Sequence, residues 1–122
     1  MPLNLDREKP QRWLELTGHL KGVEILIILA TPKEGERFRQ RLVRRGVVKH
    51  DRNLPKAGRE DEYFQMIAET YILDWKGDVH PEGTPYSSEK MGAALGDIPS
   101  LFQQVMEAIG EDSVFFGQNG SA

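Results

Sequence analysis

The segment "VEILIIL", residues 23 to 29, constrains the fold more than any other part of the chain. It is rich in β-branched residues and nearly continuous in apolarity, which predicts a strand covered on both faces. It is too short to cross a bilayer and carries Glu24. Just before it, "RWLELTGHLKG" places Trp13, Leu14 and Leu16 ahead of a connection punctuated by Gly18 and Gly22. Together they read as strands around a turn over about residues 12–30. A hairpin is not stable alone in water, so helices must cover it.

Helix signals follow at once. Thr31, Pro32 and Glu34 stand in the order of an N-cap, a first-turn proline and a capping-box carboxylate. The predicted helix spans 32–45, with Phe38 and Leu42 on one side and Gly46 as its stop. In "REDEYFQMIAETYILDWKG", acidic residues complement the helix dipole. Phe64, Ile67, Ala68, Tyr71, Ile72 and Trp75 then recur at helical spacing, which predicts a helix over 60–76 ended by Gly77. Ser87 or Ser88 caps a short helix over 87–95 closed by Gly96. Asp97 caps a last helix over 98–110, striped by Leu101, Phe102, Val105, Met106 and Ile109. The expected fold is α+β: an N-terminal hairpin or small antiparallel sheet packed against about four α-helices. It forms a single domain over 1–122, with residues 1–10 and 117–122 expected to be flexible.

Composition narrows the function. The net charge of −3 gives no global attraction for nucleic acid or an anionic membrane. With no cysteine there are no disulfides and no thiolate nucleophile, which fits a reducing compartment. The start "MPLNLDREKPQRW" lacks the layout of a secretion signal, so a cytoplasmic location is expected.

The stretch "LDWKGDVHPEGTPYSSEK", residues 73–90, gathers acidic residues and a histidine around a Gly/Pro-rich turn. Counted from Asp78, the residues Asp78, His80, Glu82, Gly83 and Glu89 fall at calcium-loop positions 1, 3, 5, 6 and 12. His80 is a poor calcium ligand, and Pro85 removes a backbone donor that such loops use. Asp74, Asp78 and His80 as a transition-metal set rest on one histidine, and His19 and His50 lie in separate predicted turns. No G-x-S-x-G elbow or phosphate-cradling glycine loop is present. The residues therefore point to no catalytic site, no metal site and no cofactor.

The most uneven surface is the first helix, which bears Arg37, Arg39, Arg41, Arg44 and Arg45 in an acidic protein. Arg37, Arg41, Arg44 and Arg45 can share one face. Exposed ion pairs contribute only about 0–1 kcal/mol each, so stability does not account for so many arginines. The face reads either as a solvated helix paired with the protein's own Asp and Glu, or as a surface for an acidic partner or for phosphates. Interleaved aromatics and positive net charge are lacking, which disfavours nucleic acid.

Taken together, "AETYILDWKG", a Gly/Pro turn, "PYSSEKMGAAL" and "IPSLFQQVMEAI" resemble the tail assembly chaperones of long-tailed bacteriophages and their prophage relatives. Ala68, Asp74, Trp75, Gly77, Pro85, Tyr86, Ser87, Pro99, Leu101 and Phe102 carry the match, and "GVEILIILATPKEGERFRQRL" is similar to the strand-then-helix opening of such proteins. The resemblance implies that Trp75 and Tyr86 anchor a helix–loop–helix joint, Gly77 allows its tight exit, and Ser87 caps the next helix. It implies a non-catalytic role: holding tape-measure and tail-tube proteins soluble and bringing them together during tail assembly. Many such chaperones also exist as a longer, frameshifted form, which would be a further partner.

Expected partner surfaces are the arginine face and the C-terminal region with Met106, Phe115 and Phe116. The alternatives are a permanent head–tail or tail component of the virion, a metal-binding module centred on Asp78 to Glu89, and a host regulator.

Overall fold

The apolar run becomes the middle strand of a three-stranded antiparallel sheet. The computed structural model describes residues 10–49 and 54–109. Strands β1 (Gln11–Glu15), β2 (Val23–Ile28) and β3 (Ile72–Gly77) lie in the order β1-β2-β3. Among the described residues four helices accompany them: α1 (Pro32–Arg44), α2 (Glu60–Tyr71), α3 (Ser88–Asp97) and α4 (Pro99–Ile109). The fold is α+β. Among the described residues, no helix is long and apolar enough to cross a membrane.

Strand alternation sorts β2. Ile25 and Ile27 face the helices and are fully buried, whereas Leu26 and Ile28 lie half-buried on the opposite face. The expectation of cover on both faces is thus corrected. Helices cover one side, while on the other Trp13 stands opposite Leu26 in the register. The Lys76 ammonium sits 4.2 Å over that tryptophan ring. Apolar continuity in β2 records a core face plus a partly screened outer face.

α1 begins as its sequence dictates. Thr31 Oγ1 accepts from Glu34 N at 3.2 Å, and Glu34 Oε1 accepts from Thr31 N at 3.0 Å, with Pro32 opening the first turn. This reciprocal cap satisfies two otherwise orphaned donors. Phe38 and Leu42 enter the core, where Phe38 meets Tyr71 edge-to-face at 5.1 Å. Val47 and Val48 follow into the core, and Val48 bridges Pro55.

The expected helix over 60–76 is corrected to α2 followed directly by β3. The helix ends at Tyr71, and Ile72, whose N–H still donates to the Ala68 carbonyl, turns extended at φ −121°, ψ 131°. Ile72, Asp74, Trp75, Lys76 and Gly77 then pair with β2, with Leu73 as the extra residue of a bulge. Ile72 and Trp75 stand three apart, which is helical spacing; on the strand they share a face only because the bulge at Leu73 inserts an extra residue between them. No glycine or proline marks the change. Pairing with the waiting edge of β2 decided the conformation.

The last two helices also shift. Gly96 lies inside α3 rather than closing it, packed where a Cβ would come within 3.1 Å of the Phe64 ring. The break falls at Ile98, extended at φ −123°, ψ 94°, because Pro99 disfavours the helical region for its predecessor. Asp97 is accordingly the last residue of α3 and not the cap of α4. α2 and α3 approach closely at Gly92, where a Cβ would lie 3.1 Å from the Gln65 Cα. Met91, Leu95, Leu101 and Val105 complete the core with Ile67 and Ala68.

Candidate functional site

The acid-rich stretch forms a joint between β3 and α3. A strand, not a helix, precedes it, so the expected helix–loop–helix setting is corrected to strand–loop–helix. Trp75 and Tyr86 meet edge-to-face with centroids 4.9 Å apart. Trp75 Nε1 donates to the Thr84 carbonyl at 3.1 Å, and Tyr86 Oη donates to the Ile72 carbonyl at 3.1 Å. Trp75 N donates to its neighbour Asp74 Oδ1 at 2.8 Å. Burial pushes the Tyr86 hydroxyl up to about 12, and the Asp74 charge acts in the same direction. Gly77, at φ 94°, brings β3 so near the turn before β2 that a Cβ would lie 2.1 Å from the Gly22 carbonyl oxygen. Ser87 Oγ accepts from Lys90 N at 3.1 Å and caps α3.

Within the loop, His80 Nε2 lies 2.7 Å from Asp78 Oδ1, and both side chains are exposed. Among the described residues, no group of three or more His, Asp or Glu comes together in a way that could hold a metal ion. An apolar cavity of about 450 Å³ lies beneath, walled by Leu16, Ile25, Trp75, Met91 and Leu101.

The arginines separate into two groups. Arg37, Arg41 and Arg44 line a cleft of about 510 Å³ with Ile28, Ala30, Phe38 and Thr70. Arg41 is braced there, its guanidinium 5.4 Å from the Phe38 ring centroid and its Nη2 3.5 Å from Thr70 Oγ1. Arg37 and Arg44 are exposed and make no ion pair or side-chain hydrogen bond among the described residues. Arg45 points elsewhere, to Glu62 at 3.6 Å. The helical wheel placed Arg45 with the other three because neighbours on a helix share a broad face; the start of α2 draws it away.

Met106 is in the core at 5% exposure and forms the floor of an open groove between β1 and α4. Leu14, Phe102 and Ala108 add apolar walls to that groove. Phe115 and Phe116 lie outside the described residues.

Two connecting residues escaped the sequence reading. Arg59, just before α2, donates to the carbonyls of Arg45 at 3.1 Å and Gly46 at 3.3 Å, and also pairs with Glu62. It thereby satisfies the open C-terminal end of α1. Gln104 of α4 embraces Thr17: its Oε1 accepts from Thr17 N at 2.8 Å, and its Nε2 donates to the Thr17 carbonyl at 3.3 Å. Arginine before an acidic first turn was a readable hint for the first. The second depends on tertiary placement alone.

Comparison of the chain with protein-family models, with curated proteins and with solved structures returns no match.

Proposed function

We propose that the chain is a non-catalytic phage tail assembly chaperone, acting in the cytoplasm of the bacterial host by binding tape-measure and tail-tube proteins. The observation that carries this reading is the cleft of α1. Three exposed arginines of an acidic protein, with the Glu34 carboxylate beside them, surround an aliphatic and aromatic floor, and two of the arginines make no ion pair among the described residues. Such a surface complements an acidic, partly apolar segment of another protein. The D-W-x-G and P-Y-S steps that carry the resemblance build a joint whose polar groups bond one another, so those residues shape the fold and leave binding to the surface.

The mechanism is reversible burial of apolar client surface, with the arginines setting partner choice and encounter rate. The test is co-purification of the tagged full chain from cells carrying its phage or prophage. Retention of tape-measure and tail-tube proteins, with the chain missing from finished particles, is the expected outcome. Recovery inside mature virions would replace this reading with that of a permanent tail component. Recovery of no phage protein would overturn it.

A further inference from the structure

The two edges of the sheet are finished differently. On β3 the bulge at Leu73 interrupts the edge, the Ile72 carbonyl accepts from Tyr86, and Trp75 N is taken by Asp74. These are devices that keep an edge from pairing with another chain. Among the described residues β1 has one such device, Gln104, which bonds both main-chain groups of Thr17 as a neighbouring strand would.

The hydrogen-bond pattern fixes which groups of β1 remain. Leu16 N bonds the Val23 carbonyl and Leu29 N bonds the Pro10 carbonyl, so even-numbered residues of β1 face β2. Odd-numbered residues turn their N–H and C=O to the open edge. Thr17 is already held, which leaves Gln11, Trp13 and Glu15 without main-chain partners among the described residues. Those three positions are symmetric about Trp13.

We propose that this edge joins a second copy of the chain, antiparallel across a two-fold axis at Trp13, to make one six-stranded sheet. In that register Trp13 pairs with its own counterpart and Gln11 pairs with Glu15, so every open group in the window is bonded. The ladder stops there because the next position on each side meets the Thr17 held by Gln104. A two-fold centred on Glu15 would set two carboxylates opposite each other and oppose Trp13 to the occupied Thr17. Lys76 holds each Trp13 ring on the outer face, where two aromatics would lie side by side. On the other face, the apolar groove of Leu14, Phe102 and Met106 opens beside the same edge. This inference is independent of which clients the chain binds.

The chain has no cysteine, so single cysteines report the register directly. A hydrogen-bonded antiparallel pair has Cα atoms about 5.5 Å apart, within the roughly 4.4–6.8 Å that a disulfide spans. Trp13→Cys in the full chain should oxidise to a covalent dimer. Gln11→Cys alone should not, because its counterpart lies roughly 14 Å along the ladder, whereas Gln11→Cys with Glu15→Cys should. Light scattering of the unmodified chain should give twice its 13.9 kDa mass. Glu15→Pro, which removes an edge N–H without breaking a bond to β2, should return it to a monomer with unchanged circular dichroism. A monomer at all concentrations, as expected if the edge instead takes a client segment or residues of the chain's own C-terminus, would overturn the proposal. So would a dimer that cross-links equally through Gln11→Cys alone.

Discussion

The joint from Ile72 to Ser87 and the outer surface of α1 both gather polar side chains near aromatic rings, yet they differ in where those groups make their bonds. In the joint, Trp75 Nε1, Tyr86 Oη, Asp74 and Ser87 each bond a main-chain group nearby. On α1, Arg37 and Arg44 meet no charged partner among the described residues, and Arg41 is turned along the cleft by Phe38 and Thr70. Internal satisfaction marks the first as architecture. Donors left facing a cleft with an apolar floor are the feature to which the proposal assigns partner binding. Substitutions should therefore divide cleanly: those in the joint act on stability, and those on α1 act on binding.

The largest stability effect is expected at Gly77. Gly77→Ala must place a Cβ against the Gly22 carbonyl at a positive φ, and a loss of about 4 kcal/mol in urea unfolding follows from strain plus displaced backbone. Trp75→Ala removes a ring contact and a hydrogen bond; its half-buried position places the cost near the lower end of the aromatic range, about 3 kcal/mol. Equal stability of either variant and the parent would contradict an architectural role for the joint.

Tyr86→Phe leaves the Ile72 carbonyl without its donor, at a cost of about 1 kcal/mol. The same hydroxyl supplies a pH signature. Its folded value of about 12 exceeds the ordinary 10, so its contribution is fully present below pH 10 and is lost as pH rises toward 12. Tyr63, likewise raised to about 12 by burial, adds to that alkaline loss. Unfolding midpoints measured from pH 8 to 12 should fall above 10, with a shallower fall in Tyr86→Phe. Ser87→Ala, which deletes the cap of α3, should cost about 1 kcal/mol.

Legibility in the sequence follows the range of the interactions involved. The α1 cap was readable because Thr31, Pro32 and Glu34 act on each other within one turn, and the Ser87 cap for the same reason. The end of α2 was not, since Ile72 and Trp75 stand at helical spacing and share a strand face only through the bulge at Leu73, which shows up only in the pairing with β2, far away in sequence. Pro99 ended α3 later than Gly96 implied because a glycine inside a helix can serve close packing, here against Phe64. Of the candidate site, the arginine cluster was visible as composition. Its division, with Arg45 held by Glu62 and Arg37, Arg41 and Arg44 left to the cleft, required the placement of α2 beside α1.

Capture of tape-measure protein by the full chain carrying Arg37→Glu and Arg44→Glu tests most directly whether the open α1 cleft is the working surface. Neither arginine has an ion pair to lose among the described residues, so the unfolding midpoint should change little while capture falls at least tenfold and the parent's capture weakens with added salt. Undiminished capture by this folded variant would contradict the assignment of binding to the cleft.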